Sequence, residues 1–273
     1  MSGKPNPSAY IPASARKMIE VKDLSLRYGA REMNILEHIN LDIYENDFVC
    51  ILGPSGCGKT SLLNVIAGFQ TPDSGEVIID GIRHAKPGPD VGVVFQQPNL
   101  FPWLSIENNI AFGLKMKKMV KKERKQFIAH YLQLTGLEAA AKKLPYQLSG
   151  GMKQRAAIAR TLATNPKVIL MDEPFSALDA LTRASMQNHL LQIWRKEKKC
   201  ILFITHDVEE ALLLGTRIIL MKPNPGSLSA DFANPLFRPE NRSIEEIKTD
   251  RDFHQWSARL LTDIRSFKKL TKK

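Results

Sequence analysis

The chain has 273 residues, 43% of them hydrophobic and 25% charged, which suits a soluble globular protein of one large domain or one domain with an extension. No apolar run approaches the roughly 18 residues a membrane-crossing helix requires; the longest candidate, 211–221, is broken by Gly215 and Arg217. The formal charge of +11 raises nucleic acid as a partner class, but seven basic residues against one Glu crowd into 115–125 without a stacking aromatic, so no nucleic-acid partner is expected.

Residues 1–17, rich in Pro, Ser and Ala and lacking an apolar leader, read as a flexible arm with no secretory signal. A cytosolic chain is expected, peripheral to any membrane it serves. From 18 to 43 apolar residues recur with a period of two (Ile19, Val21, Leu24, Leu26, then Ile35, Ile39, Leu41, Ile43), the mark of strands. An apolar strand, Phe48–Leu52, then runs into Gly53, Pro54, Ser55, Gly56, Cys57, Gly58, Lys59 and Thr60, which spell GxxxxGK[ST] ahead of a helical run. Strand, glycine loop and helix are the context in which backbone N–H groups cradle phosphates. Lys59 is expected to reach the β- and γ-phosphates and Thr60 to ligate Mg²⁺. Cys57, beside those phosphates, is expected to react with thiol reagents and to be protected by ATP. Residues 76–84 form a hairpin pattern with Asp80-Gly81 as its turn.

After the strand pattern 91–95 comes Gln96, then mostly helical patterns interrupted by Pro102 and Pro145. They read as an inserted helical subdomain covering about 97–160. The basic stretch 115–125 is a solvated loop and helix start or a contact for anionic lipid headgroups. Ser149, Gly150 and Gly151 stand at the mouth of an Ala-rich helix, where free N–H groups without a Cβ in the way make an anion-binding surface. Residues 168–171 are an apolar strand ending in Asp172 and Glu173. A carboxylate at a strand tip can hold Mg²⁺, and its neighbour can polarise an attacking water as general base. Ser176 and Asp179 follow. Strand 200–204 leads to Thr205, His206 and Asp207. The other histidines (His38, His84, His130, His189, His254) read as structural. Cys50 and Cys200 lie in apolar runs, and three cysteines without metal-ligand spacing argue against a disulfide. Beyond 222 the texture is polar and basic, with helical patterns at 244–247 and 256–267.

In this order, across roughly 18–221, the motifs resemble one group: the nucleotide-binding proteins of ATP-binding-cassette (ABC) systems. LSGGMKQR at 148–155 carries the resemblance furthest. It implies an α/β fold, a P-loop NTPase core with an N-terminal antiparallel β subdomain and the inserted helical subdomain. The cassette would span 18–222, followed by an accessory helical tail, 223–273. It implies ATP and Mg²⁺ as ligands, with Thr60, Asp172 and Gln96 on the metal. Glu173 would be the general base, His206 the γ-phosphate contact and Tyr28 the ring that stacks on adenine. Ser61 keeps a hydroxyl where the group often has Thr and joins the nucleotide-binding set. Ser149, Gly150, Gly151 and the D-loop Asp179 would meet the ATP held by a second copy, in a head-to-tail dimer.

A single motif set, with 90 residues from Gly58 to Leu148 and no sustained heptad, argues against the chromosome-maintenance and ribosome-associated branches. The run 97–110 is similar to that of importer ATPases for nitrate, sulfonate and taurine, and Met152 suits them. The resemblance implies an ATPase subunit of an importer for a small anion. It would work at the cytoplasmic face with two transmembrane permease subunits and, indirectly, a substrate-binding protein. Phe101, Pro102, Trp103 and Leu104 would line the groove for a permease segment, unless Trp103 is simply core. An exporter or membrane-remodelling ATPase is the alternative.

Overall fold

The first strand, β1 (Lys17–Leu26), buries Ile19 and Val21 and then, one residue out of phase, Leu24 and Leu26. The phase change has a local cause. Asp23 takes φ +45° and the pairing slips between Val21 and Leu24, a bulge that returns both apolar pairs to one face. β2 (Leu36–Tyr44) bulges opposite, at His38 with φ +49°, and His38 Nδ1 lies 2.6 Å from Asp23 Oδ1. Leu36 rather than Ile35 takes the buried position at its start.

The computed structural model describes residues 16–27, 34–237 and 244–270. Tyr28 and most of the expected N-terminal arm lie outside the described residues. Two compact units emerge, Met1–Gly88 with Lys199–Lys273, and Pro89–Lys198.

In the first unit β3 (Phe48–Leu52) is buried at every residue and leads through the glycine loop into α1 (Lys59–Ile66). β4 (Ser74–Ile79) and β5 (Ile82–Arg83) form the expected hairpin; Asp80 and Gly81 take φ +51° and +77°, the backbone a tight Asp-Gly turn needs. These strands build an antiparallel sheet in the order β2-β1-β4-β5.

The second unit starts with β6 (Val91–Val94) and continues through α2 (Ile106–Met116), α3 (Lys121–Leu134) and α4 (Gly150–Ala163) to β7 (Val168–Asp172) and α5 (Ala180–Glu197). β6 and β7 pair in parallel. Helix α4 is the unit's buried axis: Ala156, Ala157, Ile158 and Ala159 are all enclosed, and small side chains let α2 and α3 approach it closely.

The chain returns to the first unit with β8 (Cys200–Thr205), α6 (Val208–Leu214) and β9 (Arg217–Lys222). β3 pairs in parallel with β8 on one side and β9 on the other. A strand that sequence patterning does not announce, β10 (Ser227–Ala233), closes antiparallel on β9. Asp231 on it meets the buried Arg217 through a two-pronged contact. The tail then folds into α7 (Ile244–Lys248) and α8 (Arg251–Leu270). Phe253, Leu260 and Ile264 lie along one stripe of α8 and are buried, while Trp256 stacks on Phe232 at 6.0 Å. Burial of such side chains contributes about 1.5–3 kcal/mol each, so α8 is an integral layer against α6 and β9. All three cysteines are free thiols and buried. Among the described residues no helix is long and apolar enough to cross a membrane.

Candidate functional site

The candidate residues that are described fall on the two units, and within each unit some of them share one end of a parallel strand pair. In the first, Leu52 of β3 is in register with Thr205 of β8. The glycine loop and His206 therefore leave neighbouring strands side by side at their carboxyl ends, where open α/β sheets bind ligands. In the second, Val94 of β6 is in register with Met171 of β7. Gln96 lies two residues past one strand end, Asp172 is the last residue of the other strand and Glu173 follows it.

Gly58 opens α1 at φ +95°, in the left-handed region, and a Cβ there would meet Leu36 Cδ2 at 2.7 Å. Only glycine fits that turn. Lys59 is buried and donates from Nζ to the carbonyls of Gly53 (2.9 Å) and Pro54 (3.0 Å), so the loop holds its own lysine in place. Thr60 is exposed and Ser61 half-buried at the first turn. Cys57 departs from expectation. The residue is 1% exposed, and burial raises its thiol pKa despite the nearby Lys59 charge, so its sulfur is withdrawn from solvent. Behind the loop lies Gly226, whose carbonyl accepts from Glu37 N–H and whose N–H donates to Ile35. A Cβ on it would meet the Cys57 carbonyl oxygen at 2.4 Å. The Pro-Gly break after β9 is thus a brace for the phosphate loop.

In the second unit Gln96 Nε2 donates to Ser176 Oγ at 3.0 Å, and Ser176 Oγ donates to the carbonyl of Glu173 at 2.9 Å. Glu173 itself has φ +43°. A non-glycine residue in the left-handed region costs about 1–2 kcal/mol, and such strain clusters at functional sites. One serine therefore ties the glutamine after β6 to the backbone of the proposed base. Buried Gln154 holds the Gln96 segment from below, donating to the carbonyl of Phe95 at 3.2 Å.

Ser149 caps α4, its Oγ accepting from Met152 N–H at 3.4 Å, and no acidic residue occupies the first turn. Ser149 and Gly150 are exposed, whereas Gly151 is buried so tightly that a Cβ would meet Thr182 Cγ2 at 2.4 Å. Thr182 N–H in turn donates to Asp179, the cap of α5, at 3.0 Å. Asp179 is held below the usual carboxylate range chiefly by that backbone hydrogen bond. The signature and the D-loop residue are thus packed together as one surface.

The loop 97–105 is built on Asn109, which is fully buried. Its Oδ1 accepts from Phe101 N–H at 2.8 Å, and its Nδ2 donates to the carbonyls of Phe101, Leu104 and Ser105. Phe101 packs against Phe112 with tilted rings 4.5 Å apart and the Arg160 guanidinium over its ring at 5.5 Å. Trp103 is 73% exposed, so it is not core. Gly226, Gln154 and Asn109 carry functional geometry that sequence reasoning did not assign, and Ser176, read there only as the start of the D-loop pattern, bonds Gln96 and the Glu173 carbonyl. Gly226 and Gln154 act on backbone groups remote in the chain, Asn109 folds back over its own loop, and Ser176 joins the carbonyl of Glu173 to the distant Gln96.

A sequence profile described as ABC transporter matches residues 36–176. The chain is 50% identical over 206 residues to the taurine import ATP-binding protein TauB of Rhizobium johnstonii, covering 76% of this chain and 78% of that one. Among solved structures it is similar to cbiO1 from Clostridium perfringens, part of the ABC transporter complex cbiONQ. The TM-score is 0.74 at 28% identity, covering 81% of this chain and 89% of that one. It is also similar to the dimeric post-hydrolysis structure of the ATP-binding cassette MJ0796 bound to ADP and Pi. There the TM-score is 0.71 at 36% identity, covering 81% of this chain and all of that one. The chain belongs to the ABC transporter family. Within it the chain is an ATP-binding protein, an ATPase that hydrolyses ATP for transport.

Proposed function

We propose that this chain is the ATPase subunit of an importer for a small anion of the nitrate, sulfonate or taurine kind, acting at the cytoplasmic face of a membrane. Two copies close head to tail on two ATP molecules. Ser149, Gly150 and Gly151 of one copy, with Asp179, cap the triphosphate held by the glycine loop of the other. Glu173 takes the proton of the attacking water, His206 contacts the γ-phosphate and Gln96 orients the water. Tyr28 is assigned the adenine face. The observation that carries this reading is the Gln96–Ser176–Glu173 chain of hydrogen bonds. It connects the residue nearest the exposed Trp103 loop to the proposed base, as an ATPase driven by an outside partner requires.

The donors suit Mg²⁺, a hard cation that takes oxygen ligands: the Thr60 hydroxyl, the Asp172 carboxylate and the Gln96 amide oxygen would hold it. Bound there, Mg²⁺ would neutralise charge on the phosphates. The loop 97–104, with Trp103 standing out of it, is the surface for a segment of each of two membrane permease subunits, since exposed aromatics anchor interfaces. A separate substrate-binding protein delivers the anion to them. The taurine import relative supports the direction and the substrate class.

Glu173→Gln tests the core of this reading. The variant is expected to bind ATP normally and to lower turnover by at least about a hundredfold, the range a general base supplies. It should run as a dimer on a sizing column in saturating ATP. A monomer under those conditions overturns both the assigned base and the sandwich.

A further inference from the structure

We infer that Glu210 is a positioning residue for His206, a role that rests on the one assigned to that histidine above. Glu210 lies on the first turn of α6 and is 4% exposed. A carboxylate is almost never buried so far without a polar partner, because desolvating it is costly. Leucine would fill the space at lower cost, so its place calls for a polar task.

The task is visible in the turn itself. Glu210 Oε2 accepts from Thr205 Oγ1 at 2.6 Å, and the same Thr205 oxygen accepts from Asp207 N–H at 2.9 Å. The carboxylate fixes where the hydroxyl proton points and so leaves the lone pair aimed at the Asp207 amide. Asp207 Oδ1 then accepts from the N–H groups of Glu209 at 2.8 Å and Glu210 at 3.3 Å. The result is a closed circuit, 205 to 207 to 210 and back to 205, drawn around His206, which it leaves exposed. Thr205 is anchored in turn by its register with Leu52, the residue before the glycine loop. The circuit therefore fixes the imidazole-bearing turn relative to the phosphate loop within one rigid sheet. Removing the carboxylate frees the Thr205 hydroxyl to rotate, and the peptide after His206 loses its fixed acceptor.

The test is a double-mutant cycle on ATP hydrolysis by the full chain, with kcat and KM measured for Glu210→Ala, Glu210→Gln, His206→Ala and His206→Ala/Glu210→Ala. Misplacing a reacting group by about 1 Å can cost about a hundredfold, so a smaller shift costs on the order of tenfold. Glu210→Ala should lower kcat by about that factor, with KM for ATP within about twofold. Glu210→Gln, which keeps an acceptor oxygen, should retain most of the activity. The double variant should be no slower than His206→Ala alone. If Glu210→Ala does not fold, Thr205→Val, nearly isosteric and without the hydroxyl, takes its place with the same expectations. Equal loss from Glu210→Ala in both backgrounds means that Glu210 acts independently of His206 and overturns the inference alone. Wild-type kcat in His206→Ala overturns the assigned histidine role, and this inference with it.

Discussion

Two helix starts in this molecule are built from glycine, and they are finished to different degrees. The phosphate loop is complete in itself: Lys59 is buried on the carbonyls of Gly53 and Pro54, Cys57 faces inward, and Gly226 braces the backbone from behind. The signature is not. Ser149 and Gly150 face solvent, nothing acidic lies in the first turn of α4, and the one buried glycine packs on Thr182 beside the D-loop. A loop that satisfies itself can hold a triphosphate alone. A capped, exposed helix start is no such closed loop, and in the sandwich proposed above a second copy completes it.

One glycine at each of these starts separates binding from turnover. Gly58→Ala forces a side chain into φ +95° and against Leu36 Cδ2. That costs about 1–2 kcal/mol in the backbone and about 1–3 kcal/mol in overpacking. Relief comes only by moving the loop, so ATP affinity of the isolated chain should drop by roughly tenfold to a hundredfold or more. Gly151→Ala should leave that affinity within about twofold and lower hydrolysis at least about tenfold, because the Cβ displaces the helix start that faces the second nucleotide. Adding Thr182→Ser removes the methyl it strikes and should restore part of the rate. Fluorescent-nucleotide titration and steady-state hydrolysis on the same samples read both. Weakened binding in Gly151→Ala would erase the distinction between the two starts.

How much of this was legible depended on whether a residue acts along the chain or across it. The glycine loop, the two carboxylates after β7, His206 and the 148–155 signature are contiguous patterns, and their chemistry follows from neighbours in sequence. The Asp80-Gly81 hairpin belongs with them. Gly226, Ser176 and Asn109 act on backbone groups of loops remote in the chain or by folding back over their own loop, so composition and spacing were silent. Strand β10 was hidden because its alternation is weak: along SLSADFA only Phe232 is fully buried. Trp103 was undecided because an aromatic after Pro is equally at home in a core or at an interface. Its exposure removes the core reading.

The inward turn of Cys57 sharpens the same comparison by a smaller effect. Burial raises its thiol above the ordinary cysteine value, and desolvation raises Cys50 and Cys200 further. A raised thiol pKa means less thiolate at a given pH. Ellman's reagent at pH 7–8 should therefore find almost no fast-reacting thiol in the folded chain and three after unfolding. The slow rate should keep rising with pH where an exposed thiol has already levelled off. Rapid labelling of one thiol at pH 7, blocked by ATP, would instead mean that Cys57 opens to solvent.

The smallest effect on the isolated chain is expected at its most exposed aromatic. Asn109 and Trp103 belong to one loop, one as its buried frame and the other as its projecting tip. Asn109→Ala strips an acceptor from Phe101 N–H and a donor from three carbonyls, at about 1–3 kcal/mol for a buried group left bare. Its thermal midpoint should fall by several degrees. Trp103→Ala touches little beyond the Phe101 ring at 5.8 Å, so stability should change by no more than about 0.5 kcal/mol and hydrolysis by the isolated chain should be unaltered. Reconstituted with membrane subunits, the order reverses: Trp103→Ala should lower substrate uptake per ATP hydrolysed, since an interface anchor is lost, although the loop that carried it is intact. Full coupling in that variant would reduce Trp103 to a surface residue and leave Phe101, packed between Phe112 and Arg160, as the part of the loop that matters.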